Sequence, residues 1–144
     1  MKALFDTSTL VAAMVAAHPD HDRCRRWLAR VVAGEVNLVV ASHTISELFA
    51  LLSTLRMRPR LGAAGAWQLI EANVLRRGLV VGLSANEQIA VVRSRAALGL
   101  AGGLIYDALI ARVAWKAHVD VLLTLNERGF RRAWPEGVAC IQTP

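Results

Sequence analysis

Lys2-Ala3-Leu4-Phe5-Asp6-Thr7-Ser8-Thr9 is the stretch on which the fold turns. A short apolar run ends abruptly in Asp6, three hydroxyl residues follow, and Leu10, Val11, Met14 and Val15 then recur at helical spacing. The stretch predicts a buried strand with a carboxylate at its carboxyl end, which is where ligands bind in open α/β sheets. Taken alone, Asp6 is better read as a cap for the helix that follows. The remainder of the chain has to shift that balance.

Working outward, the same unit recurs. Leu38 to Ala41 is a continuous apolar run, as expected of a strand covered on both faces. Ser42 or Thr44 then caps a helix whose inner side carries Ile45, Leu48, Phe49, Leu51 and Leu52, with Glu47 in its first turns. Arg56-Met57-Arg58-Pro59-Arg60 breaks that helix, and a second one through Trp67, Leu69, Ile70 and Leu75 completes a protruding helical arm. Leu79 to Val81 reads as a third strand, followed by a helix capped by Ser84 with Ile89, Val91 and Val92 on its apolar side. After the turn at Gly99 to Gly103, Ile105, Leu109, Ile110 and Val113 share a helical stripe, with Asp107 near the helix start. Val119 to Leu123 and Val138 to Ile141 read as the fourth and fifth strands. Alternation of this kind implies one α/β domain over residues 1–144, a parallel sheet flanked by helices with right-handed crossovers.

Composition narrows the function. The chain is 55% hydrophobic, yet no apolar run is long enough to cross a bilayer, so the excess belongs to a core or a subunit interface. Asp6 to Thr9 interrupt the amino-terminal apolar segment, which argues against a signal peptide. Cys24 and Cys140 lie far apart without ligand spacing and are expected to be reduced thiols in a cytoplasmic protein. The net charge of +6 comes mostly from arginine, in groups at Arg23 to Arg30, Arg56 to Arg60, Arg76 with Arg77, and Arg128 to Arg132. Guanidinium forks match phosphate geometry, so a polyanionic partner fits, although charge runs of this kind often do no more than solvate a helix.

Acids are scarce, eleven in all, and three of them, Asp6, Glu47 and Asp107, fall at strand-to-helix junctions. In a parallel sheet such junctions converge on one rim. Carboxylates gathered there either take up protons or bind a hard cation, and oxygen ligands favour magnesium, or manganese, over zinc. An ion so held polarises a phosphodiester and activates water, which is nuclease chemistry. His43, one turn before Glu47, is read as a cap or surface residue, and the four tryptophans as core or dimer contacts.

Phe5-Asp6-Thr7-Ser8, Ser46-Glu47-Leu48, Tyr106-Asp107-Ala108-Leu109-Ile110 and Leu123-Thr124-Leu125-Asn126 resemble, in order and spacing, the motifs of PIN-domain ribonucleases, and most of all the VapC-type toxins of bacterial toxin–antitoxin pairs. The resemblance implies a three-layer α/β/α domain around a parallel five-stranded sheet, magnesium-dependent cleavage of RNA, a homodimer and a small cognate antitoxin. It makes Asp6, Glu47 and Asp107 the metal-binding and catalytic acids, with Ser8 and Thr124 as supporting hydroxyls. Asn126 stands where many members carry a fourth acid, which leaves the number of ions open. The alternative is a catalytically weak RNA-binding or regulatory module on the same fold.

Overall fold

A computed structural model describes all residues, 1–144. Five parallel strands, β1 (Lys2–Phe5), β2 (Asn37–Ala41), β3 (Gly78–Val81), β4 (Val121–Leu123) and β5 (Ile141–Gln142), form one sheet in the order β3-β2-β1-β4-β5. Leu4 of the central strand stands opposite Val39 on one side and Leu122 on the other. The chain builds outward from β1 to β2 and β3, then returns to place β4 on the opposite side of β1. The carboxyl ends of β1 and β4 therefore flank the point where the strand order reverses, and crevices open at such points.

Helices cover both faces, giving the expected three layers. On one face Ala3, Phe5, Leu38 and Val40 pack against helices α1 (Thr7–Met14), α2 (His21–Val32), α3 (Ser42–Thr54) and α4 (Gly62–Ile70). On the other, Leu4, Val39 and Leu122 meet α6 (Leu104–Lys116) and α7 (Glu127–Ala133). Because alternate residues of β1 feed opposite cores, its sequence is apolar without interruption. Between β3 and α6 lies α5 (Ala85–Ala97), begun by a reciprocal capping box between Ser84 and Glu87. Gly34 ends α2 at a φ of 77°, a conformation that costs glycine no steric strain. No helix is long and apolar enough to cross a membrane.

The arm is rooted in the core. Leu48 and Leu52 of α3 share one buried cluster with Ala66 and Ile70 of α4, and a π-helical turn over Glu71–Leu75 continues α4. Only the connector, Arg56 to Arg60, stands fully in solvent. Several expectations need correction. Phe49 and Leu51 are 40% and 49% exposed, because the α3 stripe that meets the core is narrower than its apolar sequence. Ile89 and Val92 are likewise exposed, and α5 buries only Val91. Neither Ser42 nor Thr44 caps α3; the cap position is Ala41, which offers no side chain, and Thr44 is buried.

The last two strands are shorter than their apolar runs. Val119 belongs to the exit of α6: its N–H bonds the carbonyl of Ala114, and His118 adopts a φ of 50°. Pro135–Cys140 forms a 3-10 helix instead of a strand, since Pro135 starts a helical turn and Gly137 lies flat against the Trp134 ring. A β-carbon on Gly137 would come within 2.1 Å of that ring. Of the tryptophans, Trp134 is buried and Trp27 meets Phe5 edge-on at 6.5 Å, while Trp67 and Trp115 are about half exposed.

The two faces of α3 give a direct check. Leu52→Ala is expected to lower unfolding free energy by about 3 kcal/mol through cavity formation. Leu51→Ala is expected to stay within about 0.5 kcal/mol. Urea denaturation of the two variants measures both.

Candidate metal centre

Asp6 follows the last residue of β1 and is 5% exposed. Its Oδ1 accepts the Thr9 N–H at 2.9 Å, so it does cap α1. The Ser8 hydroxyl donates to the same carboxylate at 2.8 Å, and the Thr124 hydroxyl, beyond the end of β4, donates to Oδ2 at 2.7 Å. Each hydroxyl is itself oriented by a backbone donor: Leu125 N–H bonds Ser8 Oγ at 3.0 Å and Asn126 N–H bonds Thr124 Oγ1 at 2.9 Å. Burial raises the proton affinity of Asp6, and the three hydrogen bonds oppose that rise.

Glu47 reaches the rim from α3. Its Oε2 accepts a short hydrogen bond from the Thr7 hydroxyl, which ties it to the residue beside Asp6. His43 Nε2 lies 3.9 Å from its other oxygen. His43 does not cap α3: its side chain is 32% exposed, its Nε2 has no hydrogen-bond partner, and burial lowers its pKa below the usual imidazole range.

Asp107, in the first turn of α6, completes the set. Its Oδ2 accepts the Asn126 amide at 3.0 Å. Its pKa is pushed up from 3.8 to about 6, first by burial and then by the charges of Asp6 and Glu47. The two other acids are thus close enough for their fields to be felt. Glu127 is turned away and committed to Arg131 at 2.7 Å and Thr143 at 2.7 Å. Those bonds hold its carboxyl below the usual range, and it does not stand in for a fourth acid.

None of the three rim acids pairs with a lysine or arginine, although the protein carries seventeen such residues. An anionic rim in a cationic protein, built from oxygen donors alone, fits a hard divalent cation in charge and in donor chemistry. The acids do not form a closed cage in advance: no three His, Cys, Asp or Glu side chains are grouped tightly enough to enclose an ion.

A family model described as the PIN domain matches residues 3–134. The chain belongs to the PIN domain family. Its fold is also that of several solved structures. The VapBC2 complex of Rickettsia felis, bound to a promoter DNA fragment, shares 20% identity at a TM-score of 0.68 over 99% of this chain and 98% of that one. VapC20 of Mycobacterium tuberculosis, a toxin that cleaves the sarcin-ricin loop, shares 16% at 0.63 over 83% and 86%. FitAcB of Neisseria gonorrhoeae shares 20% at 0.62 over 91% and 92%. Among curated proteins, none matches the sequence.

In this PIN domain the residues singled out from the sequence fall at one edge of the sheet: Asp6, Ser8 and Thr124 are hydrogen-bonded together, Asp107 bonds Asn126, and Glu47 bonds Thr7. Two contributors were not anticipated. Thr7 is recognisable only once α3 is seen beside it, and Gly129 only because a β-carbon there would strike Asn126 and Asp107.

Because folded Asp107 holds its proton more tightly than the unfolded chain does, stability falls as pH rises from about 4 to 6 and stays reduced above. Asp107→Asn removes the burial cost of the charge and its repulsion by Asp6 and Glu47. After allowance for solvent screening it is expected to stabilise the metal-free protein by about 1 kcal/mol, roughly 3 °C in Tm, at pH 7.5. The gain should shrink toward zero near pH 4, and thermal melts in EDTA across this range measure it.

Proposed function

We propose that this PIN domain is a magnesium-dependent endoribonuclease, with manganese as an alternative ion, and the toxin of a toxin–antitoxin pair. The observation that carries the proposal is the rim of three acids without a lysine or arginine partner, set at the sheet's switch point. Asp6, Glu47 and Asp107 would hold the ion, which when bound supplies polarisation of a phosphodiester and an activated water.

The protein's own groups supply the placement. Ser8 and Thr124 fix both oxygens of Asp6, so this carboxylate keeps one orientation. Thr7 fixes one oxygen of Glu47 and leaves the other facing the rim side occupied by His43. Arg56, Arg58, Arg60, Arg128 and Arg132 are exposed and outside every ion pair, available to RNA phosphates.

The toxin assignment is supported by the company the fold keeps: VapBC2 and VapC20 share it. On that basis the chain works as a cytoplasmic homodimer and is silenced by a small antitoxin that covers exposed apolar surface and sets a basic side chain against the acids. A second reading, an RNA-binding module with little turnover, is favoured by the open arrangement of the acids. It predicts RNA affinity indifferent to magnesium and no cleavage.

Purified protein is expected to cut structured RNA with magnesium and to stop when EDTA is added. Asp6→Asn and Asp107→Asn should each cost more than about 100-fold, beyond what loss of an outer partner of a metal ligand usually costs. Cleavage unchanged in both variants would rule out the proposed chemistry.

A further inference from the structure

Asn126 sits at the cap of α7, and its amide is oriented by two bonds. Its Oδ1 accepts the Gly129 N–H at 3.3 Å, and its Nδ2 donates to Asp107 Oδ2 at 3.0 Å. The amide oxygen is therefore turned to the helix, and the group presented to Asp107 is the donor. A donor cannot ligate a cation.

Gly129 keeps this arrangement possible. A β-carbon at that position would lie 2.2 Å from Asn126 Nδ2 and 2.7 Å from Asp107 Oδ2. The amide and the carboxylate therefore lie directly on the backbone of α7, in space that only glycine leaves free. The next acid along the chain, Glu127, is held elsewhere by Arg131 and Thr143. The α7 side of the rim thus offers Asp107 a hydrogen bond and offers an ion no oxygen.

We propose that Asn126 is a positioning residue: its amide holds Asp107 against α7 and confines the acid rim to a single divalent cation. The proposal rests on the metal-dependent reading given above and adds the ion count and the residue that sets it. A carboxylate in the place of Asn126 would put a fourth acid about a hydrogen bond's length from Asp107, in a field already negative from Asp6 and Glu47. Such a pair repels when metal-free and is relieved by a second ion.

Manganese titration of the full-length protein by calorimetry, with electron paramagnetic resonance of the unbound ion as a check, tests this without relying on activity. Wild type is expected to bind one ion, and Asn126→Asp two. Asn126→Asp should also melt lower than wild type in EDTA and recover with manganese. Asn126→Ser keeps a capping hydroxyl for α7 but loses the donor to Asp107. It is expected to bind one ion about tenfold more weakly, in the range seen when an outer partner of a metal ligand is removed. Two ions on wild type, or an unchanged affinity in Asn126→Ser, would overturn the proposal while leaving the metal-dependent reading intact. No manganese bound by wild type would overturn that reading, and this proposal with it.

Discussion

Everything at the carboxyl edge of the sheet depends on one desolvated carboxylate. Asp6 ends a strand buried on both faces, and no cation of the protein approaches it. Three neutral donors hold it, two from the helix it starts and one from the segment that follows β4. A single group thereby caps α1, joins β1 to the segment after β4, and adds its charge to the burial that raises the pKa of Asp107. The question of cap or ligand, open when the first eight residues are read alone, has a physical answer. Capping uses one lone pair of Oδ1, and the charge remains.

That charge also explains how a basic protein can carry an acidic site. With a net charge of +6 and unpaired arginines on the α3–α4 connector and on α7, the surface attracts polyanions. A phosphate arriving among three carboxylates is repelled unless positive charge stands between them. A bound divalent cation reconciles the two, and it relieves the repulsion that the metal-free fold stores at Asp107. On the proposed reading, affinity and chemistry are separate devices: exposed guanidinium groups would gather the substrate, and buried or half-buried acids would act on it.

Much of this was legible in the sequence for a definite reason. A strand covered on both faces is apolar without a break, so Ala3 to Phe5 and Leu38 to Ala41 stand out, and the first polar residue after each marks the rim; Leu79 to Val81 is equally apolar although Leu79 and Val80 are exposed on the edge strand. The same signal misleads at Val138 to Cys140, where an equally apolar run is taken into a 3-10 helix by Pro135 and the Trp134 ring. Helix faces were overestimated at Phe49, Leu51, Ile89 and Val92, because an apolar residue does not reveal whether a neighbour exists to cover it. Thr7, His43 and Gly129 were missed or misjudged because their roles come from contacts 40 residues away, from an unpartnered ring nitrogen, and from the absence of a β-carbon. None of these leaves a trace in local pattern.

The central claim is that the rim formed by Asp6, Glu47 and Asp107 is a divalent-cation site. Anomalous diffraction from crystals of the protein soaked in manganese tests it most directly. A strong anomalous peak bounded by these three carboxylates, lost in Asp6→Asn crystals, is the predicted result. A map with no peak there, or with manganese bound only at other acids such as Glu87 or Glu136, would contradict it.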